Sequence, residues 1–205
     1  MVKVGLADYL LVMIKTCMLF LGALWLVLFS ATATWAAEKP RTKPLPNAAL
    51  TASADPGPAK ALGGAGSWNA YLAQNKEGKV CYLVGTPAKT EPAGMKRDAV
   101  MAMVTDRTED AVSNVVSFDQ GYPLNEDDDV IVEVGRDKFP LFAKDDTAWA
   151  RTSELDKTIV ATLAKEKEAI VKGTPKKGHP TTDTYLLAGF SKALALIDKA
   201  CDVKR

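Results

Sequence analysis

The sequence predicts a mainly β domain with two helices, an antiparallel, sandwich-like sheet with a C-terminal helix packed on it. Three observations lead there. Short apolar segments rich in β-branched and aromatic residues recur between turn residues from Trp68 to Ala188. Two stretches instead repeat their apolar residues at helical spacing. The chain of 205 residues is also long enough for one domain with a sizeable core.

The N-terminal third reads differently. Residues 16–36, "TCMLFLGALWLVLFSATATWA", follow Lys3 and Lys15 and end on small residues around Thr34-Trp35-Ala36. A charged n-region, an apolar h-region and a small-residue end fit a secretory signal cut after Ala36. Its length also fits an uncleaved anchor, the alternative reading of residues 1–36. Cys17 lies inside this run and is read as part of it. Residues 37–66 hold five of the eleven prolines, with Gly, Ala, Ser and Lys and no apolar period, so a disordered linker is expected there. The folded domain is expected over residues 67–205.

Within that domain the elements follow in order. "SWNAYLAQ" and "VCYLVGT" form a hairpin around the turn at 76–79. "DAVMAMVTDR" and "NVVSFDQG" are the next strands. "DVIVEVGRDKFPLFAK" is a hairpin about Gly135-Arg136-Asp137, with apolar residues on both arms. "TAWAR" is a short strand. "EAIVKGT" and "TDTYLLA" pair across the glycine-rich segment "GTPKKGHP". In "SELDKTIVATLAKEK", Leu155, Ile159 and Leu163 recur every four residues, with Ser153 as the expected N-cap. In "AGFSKALALIDKAC", Phe190, Ala193, Leu194, Ile197 and Cys201 make one apolar face. Trp68, Trp149, Tyr82 and Tyr185 are expected in the core.

Charge and cysteine content bound the function. Of 26 basic and 25 acidic residues, Lys3, Lys15 and Asp8 fall in residues 1–36, so the remainder is formally neutral. That argues against nucleic-acid binding, which draws on a basic excess. Membrane contact is expected only through the N-terminal segment, if it is retained. Cys81 and Cys201 are the two cysteines beyond residue 36. In an exported chain an even pair favours one disulfide, although their separation alone does not show that the two thiols meet.

Four constellations invite chemistry, and each has a plainer reading. Gly189-Phe190-Ser191-Lys192-Ala193 resembles a nucleophile elbow, but Ala193 stands where the second glycine belongs. The chain has one histidine, His179, in a loop, so neither a catalytic triad nor a zinc site of ordinary ligand count is well supported. Asn125, Asp127 and Asp129 alternate as calcium ligands can, without the glycine or distal glutamate of an EF-hand loop; an acidic turn before a strand is expected. Asp145 and Asp146 stand beside Trp149 and read as a turn entering a strand, with acid–base work as the functional alternative. No Walker loop or G-x-G-x-x-G stretch is present, and no cofactor, metal or catalytic residue is assigned.

Several segments together resemble the invasion-associated locus B family of exported, mainly alphaproteobacterial proteins. They are "VCYLVGTP" (80–87), "AMVTDR" (102–107), "VVSFDQGYPL" (115–124), "DKFPLFAKDDTAWAR" (137–151), "IVKGTPKKG" (170–178) and "TDTYLLAGFSKAL" (182–194). The resemblance covers residues 68–201. It implies an export signal, a β-sandwich-like domain and a periplasmic or outer-membrane setting, and it brings no catalytic residues. The expected function is a non-enzymatic binding module of the envelope, with an envelope or host-surface protein as partner and a possible part in host-cell invasion. The alternative is a small periplasmic hydrolase or ligand-binding enzyme built on Asp145 and Asp146, or on Ser191 with His179.

Overall fold

A computed structural model describes residues 58–205, except Asn75. The expected signal or anchor at 1–36, and residues 37–57 of the expected linker, lie outside the described residues.

Among the described residues, eleven strands and two helices follow one another. They are β1 (Lys60–Ala65), β2 (Trp68–Gln74), β3 (Lys79–Gly85), β4 (Lys89–Glu91), β5 (Met101–Arg107), β6 (Val112–Asp119), β7 (Val130–Val134), β8 (Asp137–Lys144), β9 (Thr147–Trp149), α1 (Ser153–Leu163), β10 (Glu168–Gly173), β11 (Thr181–Leu186) and α2 (Phe190–Cys201). All pairings are antiparallel, in the order β1-β2-β3-β5-β6-β9-β8-β7-β10-β11-β4. β8 is the hinge of this order. Residues 137–141 pair with β7, and residues 142–144 pair with β9. One strand thus passes from a larger sheet (β1, β2, β3, β5, β6, β9) to a smaller one (β7, β10, β11, β4), which is how a sandwich turns its corner.

The core lies between the two sheets and α2. Trp68 of β2 meets Phe190 of α2 edge-on, with centroids 4.9 Å apart, and lies 6.4 Å from Tyr185 of β11. Phe118 of β6 meets Tyr185 at 5.9 Å. The indole N–H of Trp68 donates to the Leu186 carbonyl at 2.8 Å, so the largest core ring also has its polar atom satisfied. Across from Trp68 stands Gly85. A Cβ there would lie 2.5 Å from the indole, so the ring's seat exists because residue 85 has no side chain.

Helix α2 has the face its spacing predicts, with Phe190, Ala193, Leu194, Ile197 and Cys201 all buried. Gly189, at φ 98°, begins it. A Cβ at that position would fall 2.1 Å from the Ala65 carbonyl oxygen, so glycine lets the β1–β2 turn touch the helix start. A disulfide joins Cys201 at the helix end to Cys81 of β3, with Cα atoms 6.1 Å apart.

Four details differ from the sequence reading. The domain begins before Trp68. Lys60–Ala65, inside the expected linker, is an edge strand paired with β2. Gly63 and Gly64 give it no alternating side chains to read; pairing with β2 and the packing of Leu62 against the core hold it. β4 was not foreseen because three residues carry no period. The N-cap of α1 is Thr152, not Ser153; its hydroxyl accepts from the Leu155 N–H at 3.2 Å. Trp149 and Tyr82 are only half-buried, since both point away from the core side of their strands, whereas Trp68 and Tyr185 are core residues.

Candidate functional site

Three regions could carry function: the suspected catalytic residues, a buried polar cluster, and the outer face of the larger sheet.

Ser191 is the second residue of α2. Its hydroxyl donates to the Ala164 carbonyl at 2.9 Å, tying α2 to the end of α1. His179 is exposed in the β10–β11 loop. Asp145, at φ 55°, and Asp146 form the β8–β9 turn and are exposed. The Asp145 N–H donates to the Glu126 carboxylate at 3.2 Å, and the Thr147 hydroxyl donates to Asp146 at 2.9 Å. That N–H, with Lys144 and Lys176 nearby, holds the Glu126 carboxyl below its usual range. The two aspartates border an open cleft of about 360 Å³ with Asp98, Tyr122, Pro123 and Lys176, and neither Ser191 nor His179 lines it.

The acidic stretch at 125–129 is a turn before β7. Asn125 donates to Asp128 at 2.9 Å, and Asp129 pairs with Arg151 at 2.7 Å. Among the described residues no group of three or more His, Cys, Asp or Glu is arranged to hold a metal ion.

Beneath the segment Gln120-Gly121-Tyr122 lies a cluster that sequence reasoning did not foresee. Arg97 reaches in from the loop before β5 and grips Asp183 of β11 with two hydrogen bonds, at 2.6 and 2.9 Å. Both side chains are buried, at 5% and 0% exposure. The Asp183 bond raises the Arg97 pKa further, against the cost of burial. Tyr122 and Thr181 share a 2.6 Å hydrogen bond between hydroxyls. The side-chain amide of Gln120 and the Tyr185 hydroxyl are buried beside them without a protein partner. Burial pushes the phenols of Tyr122 and Tyr185 upward, which keeps them neutral. The cluster fastens the 95–100 loop to β11. Its charges are matched within it, and it presents no activated nucleophile.

The third region is built by alternation. Cys81 and Leu83 of β3 face α2 and the core, so Tyr82 and Val84 face outward. Register carries this face across the sheet. One row runs Tyr71, Tyr82, Thr105, Val115; the next runs Asn69, Val84, Met103, Ser117, Trp149, Phe142. Tyr71 and Tyr82 stack at 5.3 Å. No side chain in either row is charged, and the large apolar ones are half-buried and stand apart from the core cluster. Both helices supply core residues and so lie elsewhere. An antiparallel sheet with one wet face ordinarily alternates apolar and polar residues; this one is apolar on both faces. The cue was in "VCYLV", "AVMAMV" and "VVSF", where alternation is missing.

The model of the Invasion associated locus B (IalB) protein family matches residues 68–198, more than half of the chain. The chain belongs to the IalB family. No curated protein and no solved structure matches it. The IalB match begins at Trp68 and stops short of Cys201, so β1 and the disulfide's second cysteine lie outside it. The segments that carry the IalB resemblance hold the core together. Gly85 seats Trp68, Tyr185 and Phe190 are two of the central rings, and Gly189 admits the β1–β2 turn.

Proposed function

We propose that this IalB-family chain is an exported protein of the cell envelope that binds a protein partner without catalysis, through the outer face of its larger sheet. The observation that carries the reading is the pair of uncharged, largely apolar rows across β2, β3, β5, β6, β9 and β8. Contiguous apolar surface of this kind marks interaction sites. Tyr, Trp and Met, all in these rows, are the residues enriched in interface cores. The Cys81–Cys201 disulfide supports export, because such bonds persist in oxidising compartments. The apolar run at 16–36 supplies the route. The partner is an envelope or host-surface protein, and the family's name motivates a part in host-cell invasion.

Proximity crosslinking in the intact envelope tests this. Protein adducts whose yield falls when Tyr82 and Met103 are both changed to Lys support the reading. Recovery of the protein in the cytoplasm with free thiols, or adducts unchanged in the variant, contradicts it.

A further inference from the structure

We propose that the outer face of the larger sheet is closed by a second copy of this chain, the two sheets packed face to face about a two-fold axis. This rests on the reading of that face as the binding surface, and it names the occupant. Two observations choose it. The first is the chain beyond the described residues. With residues 1–36 removed on export, residues 37–57 carry only Leu45 and Leu50 as large apolar side chains. Two leucines are too few to cover Tyr71, Tyr82, Val84, Met103 and Trp149, so the cover comes from another molecule.

The second is charge. Around the rows, Arg107 pairs with Asp110 at 2.8 Å, Arg151 with Asp129 at 2.7 Å, and Lys144 with Glu126 at 3.5 Å. Attraction to an anionic lipid surface draws on clustered basic residues, and these cations are matched by carboxylates. A charged protein partner would call for unmatched charge on the face; the rows hold none, and Arg151, 5.7 Å over the Phe142 ring, is already paired with Asp129. A neutral face can meet its own copy without like-charge repulsion. An isologous dimer needs one such self-complementary patch and is the commonest assembly. Sheets packed this way stand about 10 Å apart, with interdigitating side chains.

The test is light scattering across a concentration series on the protein recovered from the envelope. Wild type is compared with Tyr82→Lys/Met103→Lys and with Lys172→Glu, which alters the smaller sheet. The proposal expects twice the chain mass for wild type and for Lys172→Glu, and dimerisation weakened about tenfold or more in the double variant. Near-UV circular dichroism checks the fold. Should the double variant fail to fold, Val84→Thr, also β-branched and of similar size, is expected to weaken the dimer in the same direction. A wild-type monomer at high micromolar concentration overturns the proposal, as does a dimer indifferent to Val84→Thr and the double variant. A monomer that sediments with anionic phospholipid vesicles assigns the face to lipid and overturns it too. A monomer that still crosslinks to an envelope protein through position 82 overturns the dimer while leaving the binding reading intact.

Discussion

Asp156 sits in helix α1 but serves strand β6. β9 pairs only with Ser117–Asp119, and beyond it the Val116 N–H donates to the Asp156 carboxylate at 2.8 Å. Burial pushes this carboxyl up to about 6 from 3.8, with the Val116 N–H pulling the other way. A carboxyl raised in the folded state binds its proton more tightly there than in the unfolded chain. Its contribution to stability is therefore full below about pH 4 and is lost as pH rises through about 6. Asp156→Asn keeps an acceptor for Val116 and removes the titration. In urea unfolding, wild type should match Asp156→Asn near pH 4 and fall below it near pH 7. Asp156→Ala should be about 1–3 kcal/mol less stable than Asp156→Asn at both, because a buried N–H loses its acceptor. Parallel curves for wild type and Asp156→Asn would rule this out. A second prediction concerns Gly85→Ala. The new Cβ, 2.5 Å from the Trp68 ring, displaces that ring and its bond to Leu186, at about 1–3 kcal/mol of stability by the same denaturation assay.

Helix α2 shows why some elements could be read from sequence and others could not. A twelve-residue helix with five buried positions at helical spacing announces itself. So did the β7–β8 hairpin, whose turn and apolar arms are local. β1 did not, because its two glycines erase the alternation that marks a strand, and what defines it, pairing with β2 and Leu62 packed on the core, is non-local. The Arg97–Asp183 pair was equally silent. The two residues are 86 positions apart, and an arginine in a loop reads as a solvated charge. At the other end of α2, Arg205 pairs with Asp198 at 2.7 Å and with Asp106 at 2.8 Å, and Asp106 is fully buried at the β5 bulge. Arg205→Ala leaves that carboxylate without its cation and should cost about 2 kcal/mol in chemical denaturation. The disulfide binds the same helix end. Changing Cys81 and Cys201 together to Ser reopens a loop spanning 120 positions, which the chain-entropy model values at about 4–5 kcal/mol. A fall in urea midpoint with a steeper slope is expected, since the unfolded chain, released from the cross-link, exposes more surface.

At the scale of the molecule, the sandwich explains both what the family pattern encodes and where it leaves room for function. Its segments place Trp68, Tyr185, Phe190 and the glycines that let them pack. The same strands turn a second apolar set outward, and a sheet that is apolar on both sides calls for a cover. Fold class and the helical core face were therefore legible from periodicity, whereas Tyr82 and Trp149, expected in the core, lie on the other side of their strands. The surface was legible only as a failure of alternation, whose meaning depends on knowing what each face of the sheet touches. The most direct test places a photo-crosslinking residue at Tyr82, in the middle of the outer face, or at Lys172, on the smaller sheet, in the exported protein within the intact envelope. Protein adducts from position 82 that are absent or far weaker from position 172 are predicted. Equal adducts from both positions, or none from position 82, would contradict the account.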